Sequence, residues 1–327
     1  MLFSSPRSSR HRSSRPRRIN LGVIEALQDF AGWPRGPIHV AIGVFDGVHR
    51  GHQALIAELA RGARVAGATA LAATFDPLPI QALAPGAPPS ALSDAAERAT
   101  LLRRAGADAV VVFRFDERFA ALGPDEFIDR IRGAGEVRRI VVGPDFHFGH
   151  RQEGDVETLR ARGARDGFTV EVVRPVERGG AVISSTRIRN LLRAGDVADA
   201  ADLLGRPYAV RGTVVHGSKR GRALGFPTIN LALPRERLLP RDGIYAMWIE
   251  MGEGRFAAAA SLGVRPTFGG GERVLEAYLL DFSGDLYGET VEAAFVARLR
   301  DELAFASPAD LSVQIARDVE ETRRALR

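Results

Sequence analysis

The sequence predicts an α/β protein in two parts, a parallel sheet with crossover helices followed by an antiparallel sheet or barrel. Three observations carry this. Up to about residue 173, short apolar runs alternate with helix-length amphipathic runs, as βαβ units require. From about residue 206, strand-like runs follow one another across Gly, Pro and Asp turns. The length, 327 residues, suits about two domains.

The elements follow in order. Residues 1–18 carry six arginines and no acid, and the rest of the chain is close to neutral. The +5 net charge therefore belongs to a tail that cannot build a core and is expected to be disordered. Its Ser/Arg composition also fits a transit peptide, and a start codon placed too far upstream is the other reading. Strands are expected at 38–44, 70–75, 108–113, 137–143 and 168–173. Between them fall helices at 51–66, 93–105, 124–131 and 155–166. The helix at 124 opens on Pro followed by two acids, a favourable first turn. Two short helices, 185–194 and 196–204, join the halves. Then come strands in YAVRGTVV, GIYAMWIEM, RFAAAASLGV, VLEAYLLDF and ETVEAAFVARL. A last helix from Pro308 to Leu326 places Leu311, Ile315, Val319 and Leu326 on one face.

Composition narrows the chemistry. Zero Cys excludes disulfides, thiolate metal sites and cysteine nucleophiles, and fits a reducing compartment. No run approaches the roughly 20 apolar residues of a membrane helix. In parallel sheets ligands sit beyond the carboxyl ends of the strands, so residues there are the first candidates. The first strand ends in GVFDGVHRGHQALI, with Asp46-Gly47 at a turn and His49, Gly51 and His52 at a helix start. Free N–H groups and two imidazoles there suit a phosphate chain; metal binding and a plain helix start remain alternatives. GPDFHFGHRQEGD follows another strand and brings Asp145 to a carboxyl end. ISSTRIRNLL offers Ser184, Ser185 and Thr186 as caps, with Arg187 and Arg189 in the first turn. Cations there oppose the helix dipole, which an anion between them would explain. An ordinary capped surface helix is the alternative.

These three motifs, in this order and spacing, resemble the adenylyltransferase half of prokaryotic bifunctional riboflavin kinase/FMN adenylyltransferase, or FAD synthetase. The resemblance implies a Rossmann-like nucleotidyltransferase domain over 19–186, in which an FMN phosphate attacks the α-phosphorus of ATP and pyrophosphate leaves. It implies His49, His52 and Arg189 as catalytic groups. The ATP site would comprise Gly43, Phe45, Asp46, Gly47, His49, His52, Asp145, Ser185, Thr186 and Arg189. One departure stands out: the family carries Phe-Glu-Pro-His-Pro after its second strand, and this chain has Asp76 and Leu78 at the Glu and His. Leucine cannot donate to a phosphate. A riboflavin kinase with impaired or lost adenylyltransferase activity is therefore the alternative function.

The second half carries GTVVHGSKRGRALGFPTINL, a glycine-rich loop with cations able to wrap phosphates, or else a basic hairpin loop before an edge strand. Thr228 and Asn230 share a face of an extended segment and offer hard oxygen ligands. Glu276 interrupts an apolar strand, either as a solvent-facing charge or as a general base. This loop, with SLGVRPTF and LLDFSGDLYGE, resembles the riboflavin kinase module of the same family. That resemblance implies a six-stranded antiparallel β-barrel with a C-terminal helix over 206–327, beyond a helical linker at 187–205. It implies Gly212, Gly217, Lys219, Arg222, Gly225, Phe226, Pro227, Thr228 and Asn230 as the ATP/flavin site. Thr228 and Asn230 would ligate Mg²⁺, and Glu276 would be the catalytic base. The expected substrates are riboflavin, FMN and ATP, with FMN and FAD handled as substrate and product rather than as redox cofactors. Neither nucleic acid nor membrane is expected as a partner, the location is expected to be cytoplasmic, and the sequence sets no oligomeric state. A pantetheine-phosphate adenylyltransferase would lack the barrel. An RNA-binding regulator would rest on six tail arginines, whose binding should be weak and steeply salt-dependent.

Overall fold

The computed structural model describes residues 30, 32–84, 90–217, 221, 224–252, 254–264 and 273–327, and the backbone alone of 23–26. The expected tail, 1–18, and the predicted site residues Lys219 and Arg222 lie outside the described residues.

The first half contains β1 (Val23–Ala26), β2 (Pro37–Ile42), α1 (Arg50–Ala66), β3 (Thr69–Asp76), α2 (Pro79–Leu83), α3 (Ala95–Arg104), β4 (Ala109–Arg114), α4 (Glu117–Ala120), α5 (Pro124–Ala134), β5 (Glu136–Val142), α6 (Val156–Asp166) and β6 (Thr169–Val172). The six strands form one parallel sheet in the order β1-β4-β3-β2-β5-β6. Five of them match the sequence expectation; β1, four residues of mixed character, gives no periodic signal. Covered on both faces, the central strands read as continuous apolar runs. β3 is buried from Ala70 through Phe75. One face packs against Leu55, Ile56 and Leu59 of α1 with Leu102 of α3. The other packs against Phe127 and Ile131 of α5 with Leu159 of α6. The strand order turns back at β2, which lies between β3 and β5, so the crevice beyond the carboxyl ends of β2 and β5 is the natural ligand position.

A junction follows. The hairpin β7 (Glu177–Arg178) and β8 (Ala181–Val182) leads into α7 (Ser185–Ala194) and α8 (Val197–Leu204). The strands β9 (Tyr208–Val215), β10 (Thr228–Ala232), β11 (Gly243–Met251), β12 (Gly254–Val264), β13 (Arg273–Leu279) and β14 (Thr290–Arg300) come next, then α9 (Pro308–Ala325). They close a barrel in the order β10-β13-β12-β11-β14-β9, with every pair antiparallel. Side chains fill the interior, as a barrel this narrow requires: small Ala258, Ala260 and Ala277 make room for Tyr245, Met247 and Phe295. Ile188 and Leu192 of α7 and Leu203 and Leu204 of α8 belong to the same apolar cluster. The junction helices are thus packed onto the barrel rather than strung between the halves.

The last helix departs from its expected pattern. Leu311, Ile315, Val319 and Leu326 are only half-buried, while the buried residues of α9 are Asp318 and Thr322. The reason is an ion pair from the barrel: Arg300, at the end of β14, donates through Nε and Nη2 to the two Asp318 oxygens at 2.8 and 2.6 Å. Apolar periodicity places the helix, at Pro308–Ala325, but does not reveal that its anchor is a carboxylate. Removing one partner of a buried pair strands the other charge, so Asp318→Ala should cost about 3 kcal/mol. Thermal unfolding followed by circular dichroism checks this, and an unchanged midpoint would show that the pair is solvated.

Candidate active sites

The first site is built on the turn after β2. Phe45, Gly47 and Val48 all have positive φ, at 49°, 77° and 38°. A left-handed Val is strained, and such strain persists only where surroundings impose it. Here they do. The Asp46 carboxylate is almost fully buried, 1 % exposed, and accepts from the Leu92 and Ser93 amides and from Ser93 Oγ. Ser93 Oγ in turn accepts from the Gly47 amide at 2.9 Å. A Cβ on Gly47 would meet Leu92 at 3.0 Å, so both φ and space favour Gly here.

The turn delivers His49 as the N-cap of α1, where its Nδ1 accepts from the His52 amide at 3.3 Å. The two rings stack with centroids 3.6 Å apart, and Phe45 meets His52 edge-on at 5.2 Å. Gly51 gives the His49 ring its space, since a Cβ there would come within 3.1 Å of it. Gly43 does the same for the Phe45 ring, at 3.0 Å. His52 Nδ1 is buried with no partner among the described residues. Burial lowers the His49 pKa to about 4, with the Arg189 and Arg206 cations adding to the effect, and burial holds His52 well below its ordinary value. Both rings are neutral at pH 7, each with one donor and one acceptor.

Arg189 reaches the same turn from α7, donating through Nη2 to Asp46 Oδ2 at 2.6 Å and through Nε to the Ser90 carbonyl at 2.8 Å. Within the chain, then, the anion facing Arg189 is Asp46. Arg187 is turned away and donates to the carbonyls of Arg178 and Ala181 in the β7–β8 hairpin. Ser184 is the N-cap of α7, Ser185 Oγ donates to the Asp46 carbonyl at 2.9 Å, and Thr186 is exposed. Asp145 is exposed at the turn after β5, its carbonyl 3.1 Å from His147 Nδ1. Among the described residues no three His, Cys, Asp or Glu side chains cluster as a metal site, so the histidine pair lacks the companions a metal would need. Leu78 caps the start of α2 and is buried, 1 % exposed; its amide donates to Gln81 Oε1. Sequence reading missed Ser90, Ser93 and Arg98. Arg98 is 1 % exposed and donates to the carbonyls of Ser93 and Phe75, pinning this segment to the end of β3. Nothing in local spacing marks these residues, because their partners lie on other elements.

The second site is on the outer wall of the barrel. Alternation along β13 sends Leu275, Ala277 and Leu279 inward, leaving Glu276 and Tyr278 outside. In register, Glu276 pairs with Asn230 on β10 and Ser261 on β12, and Thr228 pairs with Tyr278. Thr228, Asn230 and Glu276 therefore share one outward patch. Gly217 and Gly221, before β10, lie against it. A Cβ on Gly217 would fall 2.1 Å from Asn230 Nδ2, and one on Gly221 would fall 2.4 Å from the Phe226 carbonyl and 3.3 Å from Thr228 Oγ1. Phe226 meets Tyr278 edge-on at 5.4 Å, just after Gly225, with Pro227 leading into β10. Gly212 sits elsewhere, inside β9, where a Cβ would meet the Ala232 carbonyl at 2.8 Å. Two hard oxygen donors beside a carboxylate, under a close backbone loop, are a donor set that fits Mg²⁺.

The lowered His49 value has a sign for stability. The unfolded chain binds a proton between pH 6.5 and about 4 where the folded chain does not. His49 therefore costs no stability above pH 6.5 and destabilises the fold progressively as pH falls through that window. NMR titration of the imidazoles should show His49 still neutral at pH 5, and His49→Gln should flatten the acid loss of stability. A midpoint near 6.5 would show a solvated ring.

Comparison with known proteins identifies both halves of the chain. Residues 34–187 match the family model for FAD synthetase, and residues 204–326 match that for riboflavin kinase. The chain is 42% identical over 303 residues to the bifunctional riboflavin kinase/FMN adenylyltransferase of Pseudomonas fluorescens, covering 92% of this chain and 96% of that one. It is 38% identical over 298 residues to the protein of the same description from Escherichia coli (strain K12), covering 90% and 95%. A crystal structure described as a macrolide-efflux protein from Streptococcus pneumoniae shares the fold, with a TM-score of 0.84 and 36% identity over 92% of this chain and 99% of that one. Among the described residues no helix is long and apolar enough to cross a membrane. With both family models matched in order and relatives covered nearly end to end, the chain belongs to the family of bifunctional riboflavin kinases/FMN adenylyltransferases.

Proposed function

We propose that the family's two activities are carried by two separate sites, the histidine turn of the α/β half and the outer wall of the barrel. The chain phosphorylates riboflavin with ATP to give FMN and ADP, and adenylylates FMN with a second ATP to give FAD and pyrophosphate. We assign adenylylation to about 19–186, kinase chemistry to about 206–327, and place both in the cytoplasm, where ATP is available.

The single observation that carries the adenylylation assignment is the neutral His49–His52 stack at the N-terminus of α1, at the point where the strand order turns back. Adenylyl transfer needs alignment of the FMN phosphate with the α-phosphorus and stabilisation of charge passing to pyrophosphate. The first-turn amides of α1 and the imidazole N–H groups supply donors without a net positive charge that would hold the product. Arg189 has committed only part of its donor set to Asp46 and Ser90, leaving the rest for the β- and γ-phosphates. Thr186 stands exposed beside it. The Ser185 proton is given to the Asp46 carbonyl, so Ser185 shapes the loop from behind. Asp145 borders the nucleotide across the crevice.

On the barrel, Thr228 Oγ1 and Asn230 Oδ1 would hold Mg²⁺ with the triphosphate. The ion, when bound, neutralises charge on the transferred phosphoryl group. Glu276, opposite Asn230, accepts the proton of the ribityl hydroxyl as it attacks the γ-phosphorus. Gly217, Gly221 and Gly225 leave backbone N–H groups room to approach the phosphates.

Separate sites should respond separately. His49→Ala and Arg189→Ala are expected to lower FAD formation by about a hundredfold each while FMN formation stays near normal. Glu276→Ala should stop riboflavin phosphorylation yet leave adenylylation of supplied FMN intact. Chromatographic assay of both flavins reads these outcomes, and equal loss of both activities in a folded variant would defeat the division. Thr228→Ala should raise the Mg²⁺ concentration needed for half-maximal FMN formation, and an unchanged requirement would remove Thr228 from the metal site.

A further inference from the structure

Arg206 belongs by position to the kinase half: it lies beyond residue 187, where the FAD synthetase match ends, and within the riboflavin kinase match. Its side chain nevertheless faces the other site. Nη2 donates to the Gly47 carbonyl at 3.0 Å, in the middle of the strained turn that presents His49. Behind it stands Glu97 of α3, 3.9 Å away, which also pairs with the buried Arg237 at 3.0 Å. Arg237 in turn donates to the Ala209 carbonyl at the start of the barrel.

A second contact acts on the same turn from the same side. Gln53 of α1 donates through Nε2 to the Val48 carbonyl and to the Leu204 carbonyl, each at 2.8 Å. Two adjacent carbonyls of a left-handed segment are thus held by groups tied to the junction that carries the barrel. Arg206 Nη1 is buried with no hydrogen-bond partner among the described residues.

We propose that Arg206 is a positioning residue for adenylyl transfer, supplied by the kinase half, which holds the Gly47–His49 turn in its strained shape through the Gly47 carbonyl. The inference rests on the reading of His49 as part of the adenylylation site. It makes that site incomplete without the barrel-side junction, so the two halves are joined functionally as well as covalently. Backbone strain of this kind relaxes when one of its restraints goes, and small displacements of phosphate-binding groups are costly in turnover.

The test uses the full chain with Arg206→Gln, Arg206→Lys and His49→Ala, and follows FMN formation from riboflavin, FAD formation from supplied FMN, and the melting midpoint. Arg206→Gln is expected to lower kcat for FAD formation by roughly tenfold or more, with the KM for FMN and the rate of FMN formation within about twofold of the parent. Arg206→Lys, which keeps a donor and the charge facing Glu97, should recover part of that loss. The proposal is overturned if Arg206→Gln makes FAD at the parent rate while His49→Ala shows its expected loss. It is equally overturned if both Arg206 variants lose FMN and FAD formation in proportion to a fall in melting midpoint. Full FAD formation by His49→Ala would instead sink the site reading on which the proposal stands.

Discussion

The Asp46 carboxylate is the interaction on which the rest depends. It is a charge taken out of water at the carboxyl end of β2, and it persists because four donors from two segments meet it: the Leu92 and Ser93 amides, the Ser93 hydroxyl and the Arg189 guanidinium. Each donor fixes something else. The amides of Leu92 and Ser93 anchor the segment before α3, Ser93 Oγ receives the Gly47 amide, and Arg189 sets the rotation of α7. That segment also bonds to the barrel, with Ala91 donating to the Glu236 carbonyl and accepting from the Leu238 amide. One buried carboxylate thus sets the histidine turn, the junction helix and the seat of the second half.

On the proposed assignment, the two sites would handle a triphosphate by different means. The first uses a helix N-terminus and neutral imidazoles at the reversal point of a parallel sheet. The second uses the outside of a barrel whose inside is filled with side chains, so its chemistry is carried on the wall by alternation along β10 and β13. In both, the glycines are dictated by neighbours already in the chain. Gly51 yields to the His49 ring, and Gly217 yields to the Asn230 amide. The close approach that favours a phosphate is first an approach of the protein to itself.

Much of the fold was legible in the sequence because it depends on period. The buried strands β2 to β5 read as apolar runs, and β9, β11, β12, β13 and β14 as segments between turns. Helix ends marked by Pro124, Asp155 and Ser184 were legible for the same local reason, since caps answer amides a few residues away. The failures share the opposite cause. The contribution of α9 rests on Asp318 and Arg300, eighteen residues apart in sequence, and β1 is held by pairing with β4, eighty-seven positions on. Among the site residues, His49, His52, Thr228, Asn230 and Glu276 stand in compact motifs, whereas Ser93, Arg98 and Arg206 matter through partners on other elements.

By itself, then, the sequence determined the two-part architecture, the strand and helix periods, and the residue types offered at each loop, because those follow from side-chain alternation and short-range hydrogen bonding. Tertiary structure alone decided what each polar group faces. It turned Asp46 inward as the counter-ion of Arg189, sent Arg187 to a hairpin, neutralised the two imidazoles by burial, and brought Arg206 from the second half to the turn of the first. Electrostatic partnership and desolvation depend on distance in space, and separation along the chain carries no record of it.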